Sequence, residues 1–263
     1  MSYALITGAS KGIGKEFAIS LAKRKYNLLL VARTEGLLSE LAAELQKKYG
    51  VTVNYKAVDL SSATAAQDII EWCKKGGYDI NVAVNNAGYG LNGAFEKVSL
   101  EEQINMMNLN MNTLVQLTHF TIPLLRKYSG KSYILNVAST AAYQSVPYLG
   151  VYSATKAFVL SFTRALRQEM KGSNVSVTCL SPGAVETHFM ERAGMDKVKK
   201  IVKQAKKVEM QADVVAEFGI KAMLGGKAEV IPGFINKIGA FANRIVPKNV
   251  VEGVAKGLYS PEN

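Results

Sequence analysis

The sequence predicts an α/β protein with a doubly wound, mostly parallel sheet in a single domain. Three observations support this prediction. Short apolar segments alternate with longer helical ones as far as residue 180, the distinctive motifs follow predicted strands, and none of the 263 residues forms a linker-like stretch. Strands alternating with helices of about 10–15 residues indicate βαβ units and a parallel sheet. Ligands of such sheets bind beyond the carboxyl ends of the strands.

The predicted strands are short apolar runs. Asn27–Ala32 is rich in Leu and Val, as expected for a strand that is buried on both faces. Val51–Val58 alternates apolar and polar residues, which is typical of a half-buried strand. In chain order the six strands are Tyr3–Thr7, Asn27–Ala32, Val51–Val58, Ile80–Val84, Tyr133–Ala138 and Val175–Leu180.

The segments between these strands have helical length and periodicity. The five predicted helices are Gly12–Lys25, Leu37–Lys48, Ala65–Lys74, Glu101–Leu125 and Val151–Met170. His119, inside the fourth of them, is expected to be packed, and His188, beyond the fifth, is expected at the mouth of the substrate site. The pattern is less regular beyond Pro182, where residues 187–208 are polar, basic and helix-forming, and 211–224 form another helix candidate. Within one domain spanning 1–263, we expect 187–225 to cover the substrate and 229–263 to form a tail with a last strand and capping helices.

The composition favours a soluble, cytoplasmic protein. Hydrophobic residues make up 48% of the chain, and no run approaches the ~20 apolar residues of a membrane span. The residues after Met1 do not form a signal peptide. Cys73 and Cys179 are too far apart to indicate a disulfide framework or a metal site, so both are interpreted as core residues and no metal is predicted.

The formal net charge is +11, and much of it lies in one lysine-rich stretch. Its members are Lys197, Lys199, Lys200, Lys203, Lys206 and Lys207. This stretch is either a solvated helix face or a field that attracts an anionic cofactor, an acidic substrate or a lipid surface. No zinc-finger, helix-turn-helix or aromatic-interleaved basic motif accompanies it, so nucleic acid is not an expected partner.

A glycine-rich loop follows the first strand directly and opens the first helix. Gly8, Gly12 and Gly14 permit a tight turn and close approach of the backbone to a pyrophosphate. The helix N-terminus adds unpaired N–H groups and the positive end of the helix dipole. A glycine-rich turn without a ligand is the alternative. The residues expected to hold the phosphates are Gly8, Ser10, Lys11, Gly12, Ile13 and Gly14.

Arg33 follows the second strand, where an acidic residue would bind the ribose of NAD and an Arg would accommodate the 2′-phosphate of NADP. Because Lys11 adds a second cation nearby, the sequence predicts NADP, although Arg33 is also compatible with an ordinary loop residue. Asp59, followed by Leu60, closes the third strand. It is either an acceptor for the adenine amino group or the N-cap of the next helix.

The fourth strand runs into Asn85-Asn86-Ala87-Gly88. Gly88 permits a ligand to approach the backbone closely. Asn85 is interpreted as structural, because an asparagine side chain can join adjacent strands. Asn86, Ala87 and Gly88 are predicted to line the cofactor.

A group of reactive side chains follows the fifth strand. Ser139 closes that strand, and Tyr152 opens a helix with Lys156 four residues later, on the same helix face. A phenol titrates near ~10 in water. A lysine ammonium within ~4–6 Å, with the positive nicotinamide ring, is expected to lower that pKa. A Tyr/Lys pair at this spacing also occurs in helices where it has no such role.

With the glycine loop, Asn85–Gly88, Ser139 and Tyr152–Lys156 in this order, the chain resembles the short-chain dehydrogenase/reductase superfamily over residues 3–187. The resemblance implies a Rossmann-like fold and an active site in which Tyr152 donates or accepts the proton. Lys156 would hold the ribose hydroxyls and tune Tyr152, and Ser139 would orient the substrate carbonyl.

The resemblance has further implications. Asn110 would anchor a proton-relay water, although Asn108 and Asn112 are near enough to leave that assignment open. Homodimers or homotetramers would form through the helices near 101–125 and 151–170. The loop expected to cover the nicotinamide contains Pro182, Gly183, Val185 and Thr187.

The C-terminal part departs from many relatives, since Glu229–Phe234 replaces a Gly-Gly ending and a longer apolar, basic tail follows. This favours substrates such as acyl chains or steroids over sugars. Five methionines, Met106, Met107, Met111, Met190 and Met195, either fill the core or line an apolar pocket. The predicted function is therefore transfer of hydride between NADP(H) and the carbonyl or alcohol carbon of a lipophilic small molecule. The alternatives are a dinucleotide-binding redox sensor and a lipid-handling protein in weak contact with a membrane surface.

Overall fold

The computed structural model describes residues 2–243 and 245–260. Its centre is a seven-stranded sheet in which every pairing is parallel, with the order β3-β2-β1-β4-β5-β6-β7. The strands are β1 (Tyr3–Thr7), β2 (Asn27–Ala32), β3 (Val53–Ala57), β4 (Ile80–Asn85), β5 (Ser132–Val137), β6 (Val175–Leu180) and β7 (Glu229–Val230). The predicted Rossmann-like, single-domain α/β fold is confirmed. The predicted bounds 1–263 include Met1, Arg244 and 261–263, which lie outside the described residues.

Helices connect the strands and form the C-terminal part. They are α1 (Gly12–Lys23), α2 (Glu35–Tyr49), α3 (Ala65–Lys75), α4 (Leu100–Met107), α5 (Leu114–Lys127), α6 (Gly150–Glu169), α7 (Phe189–Arg192), α8 (Lys199–Val208), α9 (Ala212–Leu224), α10 (Phe234–Ala242) and α11 (Lys248–Tyr259). None of the helices in the described ranges combines the length and apolarity needed to cross a bilayer.

The alternation of side chains along β2 shows why its sequence is continuously apolar. Leu28 and Leu30 pack into the core beneath α1, α2 and α9. Leu29 and Val31 point to the opposite face and pack beneath α3, α5 and α6. Both faces of the strand are therefore buried, as in other parallel sheets covered by helices on both sides.

Two predicted helices are interrupted. The predicted helix Glu101–Leu125 consists of α4, a π-helical segment at Asn108–Thr113, and α5. A π turn adds one residue to the helical repeat, and apolar periodicity alone does not reveal it. The basic segment 187–208 divides into α7 and α8, because Gly194 adopts a left-handed conformation with φ of 70° that ends the first of them.

The cysteines and one histidine test predictions about the core. Cys73 and Cys179 are both buried, as predicted, and burial raises the pKa of each thiol to about 12. His119 was predicted to be packed inside an apolar helix, and this is wrong. It lies on the exposed face of α5, where its ring meets the edge of the Phe120 ring at 5.4 Å.

Candidate active site

A cavity of about 920 Å³ opens where the parallel strands end. Loops after β1 to β6 form one side of it, and residues of α8, α10 and α11 form the other. All of the predicted site residues except Asn110 line this cavity. They are Gly8, Ser10, Lys11, Gly12, Ile13, Gly14, Arg33, Asp59, Leu60, Asn86, Ala87, Gly88, Ser139, Tyr152, Lys156, Pro182, Gly183, Val185 and Thr187. The structure thus brings the predicted set together, and the roles of its members stay predictions.

The glycine loop has no room for side chains at two of its positions. Gly8 has a φ of 67°, and a Cβ there would lie 2.8 Å from Asn86 Nδ2. A Cβ on Gly14 would lie 2.0 Å from the carbonyl oxygen of Gly8. Because this second contact is with backbone, the loop packs against the first turn of α1 only when residue 14 has no side chain.

The N-terminus of α1 fits an anionic ligand. Its N-cap residue, Lys11, makes no side-chain capping hydrogen bond, and the first turn contains no acidic residue. The first N–H groups of the helix, at the positive end of its dipole, thus have neither a side-chain cap nor an acidic neighbour in that turn. Lys11 and Arg33 line the same cavity, so their charges match a dinucleotide with an additional phosphate.

Thr7, which sequence reasoning missed, fixes the end of β4 next to this loop. Its hydroxyl oxygen accepts hydrogen bonds from the backbone N–H groups of Asn86 at 3.1 Å and Ala87 at 3.2 Å. The Asn86 side chain in turn donates to the carbonyl oxygens of Thr7 at 3.0 Å and Gly8 at 3.3 Å. These contacts cross about eighty positions of the sequence, so no local pattern indicated them.

Asn85 has the structural role that was predicted for it. Its amide nitrogen donates to Asn136 Oδ1 on the neighbouring strand β5 at 2.8 Å and to Thr118 Oγ1 on α5 at 3.1 Å. Asn136 continues this buried network by donating to Thr163 Oγ1 on α6 at 3.0 Å. The network ties the fourth and fifth strands together directly below the reactive side chains.

The contacts of Asp59 decide between its two interpretations, an acceptor for the adenine amino group and the N-cap of the next helix. Its carboxylate accepts from the backbone N–H of Ser61 at 2.9 Å and from the Ser61 hydroxyl at 2.8 Å. The N-cap of α3 is Thr64, so the interpretation of Asp59 as that N-cap is wrong. The Ser61 hydrogen bonds, with a smaller effect of Arg33, hold the pKa of Asp59 below its usual value. Asp59 therefore lines the cavity as a carboxylate, and its contact with adenine stays a prediction.

Ser139, Tyr152 and Lys156 lie together on one wall of the cavity. Ser139 follows β5, and its hydroxyl oxygen accepts from the backbone N–H of Ala141 at 3.1 Å. One turn of α6 separates Tyr152 from Lys156, and the lysine Nζ lies 5.8 Å from the centre of the tyrosine ring. The ammonium is held there because it donates to the carbonyl oxygen of Val137 at 3.0 Å.

Burial dominates the pKa values of this group. It raises the pKa of Tyr152 to about 12, although the neighbouring Ser139 hydroxyl acts in the opposite direction. Burial also lowers the pKa of Lys156 to about 8. The expected lowering of the Tyr152 pKa is therefore not found in the protein alone, since desolvation of the phenolate is the largest effect.

Asn110 is the one predicted site residue that lies behind the cavity wall. It is 1% exposed and lies in the π-helical segment. Its amide nitrogen donates to the carbonyl oxygen of Tyr89 and to Thr155 Oγ1, both at 3.0 Å, and its oxygen accepts from the N–H of Tyr89 at 3.2 Å. Asn108 and Asn112 instead bond to each other on the surface, so Asn110 is the member of the three that faces the site.

Gly88 opens a small space between Asn110 and the lysine. A Cβ on Gly88 would lie 2.9 Å from Asn110 Oδ1 and 3.3 Å from Lys156 Nζ. Both hydrogens of the Asn110 amide nitrogen have acceptors, so the group that remains free to bond toward this space is a lone pair of Oδ1. The glycine thus keeps open a gap that is bounded by one acceptor and one cation.

Part of the cavity lining is apolar. Met190 and Met195 belong to this part, whereas Met106 is buried in the core, so the two interpretations apply to different methionines. Phe189 lies beside them, with its ring centre 5.4 Å from that of Tyr152. His188 also lines the cavity, as expected for a residue at its mouth. An apolar part of a ligand therefore has apolar side chains to contact near the Tyr152 ring.

Arg192 contacts two residues near the cavity mouth that the sequence did not connect with it. Its guanidinium lies 4.5 Å from the centre of the Tyr89 ring and 3.1 Å from a carboxylate oxygen of Glu102. These contacts join α7 to α4. Both partners of the ion pair are more than two-fifths exposed, so the pair contributes little to stability.

Sheet order, loop geometry and the group around Tyr152 define a dinucleotide-dependent oxidoreductase. The family model for short chain dehydrogenases matches residues 2–214, so the chain belongs to that family. Membership of this family agrees with the predicted enzyme class, oxidoreductases acting on CH–OH or C=O groups. The predicted NADP agrees with one relative that is named as NADP-dependent and with one solved relative that holds NADPH.

Two curated relatives and one solved structure illustrate the match. The very-long-chain 3-oxoacyl-CoA reductase of Laccaria bicolor is 36% identical over 183 residues, which cover 68% of this chain and 54% of that protein. The NADP-dependent 3-hydroxy acid dehydrogenase of Schizosaccharomyces pombe is 37% identical over 190 residues, covering 70% and 72%. A short-chain dehydrogenase from Sphingobium yanoikuyae in complex with NADPH superposes with a TM-score of 0.81 at 28% identity, covering 100% and 97%. The chain thus matches about half the length of the first relative.

Proposed function

We propose that the protein is an NADPH-dependent reductase that converts the carbonyl group of a lipophilic ketone into an alcohol. The observation that carries this proposal is the opening of the Ser139, Tyr152 and Lys156 group onto a cavity that is lined both by the glycine loop and by apolar side chains. The names of two relatives concern 3-oxoacyl-CoA and 3-hydroxy acids, so 3-oxoacyl compounds are the first substrate class to test.

When bound, NADPH supplies the hydride that adds to the carbonyl carbon. Tyr152 donates its hydroxyl proton to the carbonyl oxygen, which becomes the alcohol. A pKa of about 12 keeps the Tyr152 phenol protonated at neutral pH, as a proton donor requires. Ser139 orients the carbonyl oxygen by hydrogen bonding, and the Lys156 ammonium stabilises the phenolate that remains.

The proton lost by Tyr152 has to be replaced before the next turnover. We propose that Lys156 takes part in this replacement and that a water beside Gly88 bridges its Nζ to Asn110 Oδ1. The gap at Gly88 and the free lone pair of Asn110 support this proposal. In it Asn110 positions the water, and the chemistry stays with Tyr152.

The apolar part of the cavity lining supports the proposal that segment 187–225 covers the substrate. Phe189, Met190 and Met195 line the cavity from that segment. A ketone with an apolar chain would place this chain against them and its carbonyl group at Tyr152. Oxidation of NADPH, followed by its absorbance with 3-oxoacyl compounds of increasing chain length, tests the proposal. NADPH binding without turnover of any of them would favour the redox-sensor alternative.

The Arg33→Ala variant tests the role of Arg33 toward the cofactor. We expect NADPH binding to weaken by at least about tenfold, because removal of a cation beside the 2′-phosphate costs 1.4 kcal/mol or more. NADH binding should stay nearly unchanged. Fluorescence titration with both cofactors measures the two affinities, and Lys25→Ala, at a surface lysine, is the control. Equal losses for NADPH and NADH would contradict recognition of the 2′-phosphate.

The pH dependence of reduction tests the role of Lys156. Its pKa of about 8 means that the ammonium is present below that pH and is lost above it. We therefore expect kcat/KM to fall as the pH rises through about 8. In Lys156→Arg the fall should move to higher pH, because a guanidinium stays protonated. Thermal unfolding over the same range separates this effect from loss of structure, and an unshifted fall in the variant would exclude Lys156 as its cause.

The predicted assembly and location stay proposals. Exposed Phe120 on α5 and Phe158 on α6 support a homodimer or homotetramer formed through these two helices. Sedimentation velocity of the whole chain tests the oligomeric state, and fractionation of cells tests the cytoplasmic location.

A further inference from the structure

The C-terminal part of the chain carries a concentration of exposed apolar side chains. In the described ranges fifteen large apolar side chains are exposed, and eight of them lie between Phe234 and Val254. These eight, which we call the apolar tail surface, are Phe234, Ile235, Ile238, Phe241, Ile245, Val246, Val250 and Val254. Clusters of exposed apolar residues mark sites of interaction with another surface.

The exposed side chains of α10 form a stripe. Phe234, Ile238 and Phe241 are each about one helical turn apart, and their exposed fractions are 77%, 52% and 61%. Ile245, which is 69% exposed, follows the end of the helix at Ala242. The opposite side of the helix is occupied, because Ala240 is buried and lines the cavity. Helix α10 therefore has one side toward the cavity and a second, apolar side toward the outside.

Positive charge accompanies this surface. The exposed lysines of α8, with Lys197 just before it, form a run without an acidic residue from 197 to 208. Helix α8 packs against α11, since Ile201 and Ala255 belong to the same apolar cluster. Residues 230–251 also contain three basic residues and no acidic one. Helices α8, α10 and α11 all line the cavity, so the basic and the apolar surfaces lie on the outer sides of helices that enclose it.

We propose that the apolar tail surface docks on an anionic lipid bilayer. The stripe of α10 would lie among the headgroups and upper acyl chains, and the lysines of α8 would bind the acidic headgroups. Helices that enclose the cavity would then lie at the membrane surface, so that a lipophilic ketone dissolved in the bilayer is close to the active site. Docking goes beyond the proposed function, because the surface binds lipid whether or not the enzyme turns over.

A second copy of the chain fits this surface less well. A symmetric dimer brings the same patch of both subunits together. The lysine-rich helix α8 would then meet, or lie near, its own copy, and like charges oppose such contact. The exposed Phe120 and Phe158 offer a separate apolar site for self-association.

Co-sedimentation of the full chain with vesicles of phosphatidylcholine containing about 30% phosphatidylserine tests the apolar contribution. The double variant Phe234→Ser, Phe241→Ser should lower the partition coefficient by at least about tenfold. The control is Phe95→Ser, Leu100→Ser, which removes two equally exposed apolar side chains elsewhere, 71% and 69% exposed. Retained NADPH binding establishes that each variant is folded.

The charge contribution is tested in the same assay. Lys203→Glu, Lys207→Glu on α8 should lower the partition coefficient by at least about tenfold, and added salt should weaken wild-type binding. Lys47→Glu, Lys48→Glu, a charge change of the same size at exposed positions of α2, is the control and should bind as the wild type does.

The outcomes are distinct. Loss of binding in the two test variants, with both controls unaffected, supports docking on an anionic bilayer. Absence of vesicle binding by the wild type, or equal losses in tests and controls, overturns it. A shift from dimer to monomer in Phe234→Ser, Phe241→Ser without vesicles also overturns it and assigns the surface to a second copy. The protein could also bind vesicles and yet oxidise NADPH with none of the ketones. This outcome supports docking and contradicts only the proposed function.

Discussion

Replacement of Tyr152 by Phe should lower kcat for ketone reduction by about 10²–10⁴-fold, the usual contribution of a positioned proton donor. The phenyl ring keeps the packing against Phe189 and loses only the hydroxyl that faces the cavity. NADPH affinity should therefore change little. Stopped-flow measurement of NADPH oxidation at saturating substrate determines the loss in kcat, and a cofactor titration determines the affinity.

Tyr143→Phe is the matched control for this experiment. The Tyr143 hydroxyl donates to the Glu229 carboxylate and lies 3.1 Å from Ser181 Oγ, whose hydroxyl can donate to it, and Tyr143 lies outside the lining of the cavity. Removal of the Tyr143 hydroxyl is expected to cost about 1–3 kcal/mol of stability, because the partly buried carboxylate of Glu229 loses a hydrogen bond. Turnover should stay near that of the wild type. Comparable kcat values for Tyr152→Phe and the wild type would remove Tyr152 from the proposed mechanism.

The second large effect is expected for Gly14→Ala. The new Cβ would lie 2.0 Å from the Gly8 carbonyl oxygen and 2.6 Å from Asn86 Nδ2, so the loop has to move away from α1. Overpacking of this kind costs about 1–3 kcal/mol of folding free energy. The displaced loop should bind NADPH at least about tenfold more weakly. Urea unfolding measures the first effect and a cofactor titration the second.

Gly36→Ala separates this clash from a general effect of alanine in a helix. Gly36 lies in the first turn of α2, and a Cβ there would meet no atom within 4 Å. This variant should bind NADPH as the wild type does and gain about 0.5–1 kcal/mol of stability, because Ala is the better helix former. If both variants bound NADPH equally well, the close packing at Gly14 would have no role in cofactor binding.

The sequence predicted the site where local patterns decide the geometry. The turn at Gly8 and Gly12 and the one-turn spacing of Tyr152 and Lys156 depend only on neighbouring residues, and the structure has them as expected. The choice of Asn110 over its neighbours depends on a contact with Tyr89, which is 21 positions away. Periodicity does not encode such a partner.

Other features depend on burial or on distant partners and were therefore predicted incorrectly or not at all. The pKa of Tyr152 is raised because the ring is buried, and the sequence showed only the lysine that would lower it. The contact of Arg192 with Glu102 joins residues 90 positions apart. The separation of α7 from α8 depends on the conformation of Gly194, whereas the composition of the segment predicted only that it is helical.

The π-helical segment makes the number of residues between α4 and α5 more important than their identity. Each residue of a helix turns its direction by about 100°, and the wider turn at Asn108–Thr113 adds one such step between the two helices. Deletion of one residue there would either rotate Asn110 away from Tyr89 or rotate Leu117, a buried residue of α5, out of the core. Exchange of the exposed Asn112 for another polar residue would leave both in place. In this stretch natural variants should thus differ by substitution, while insertions and deletions should be confined to the loops on either side.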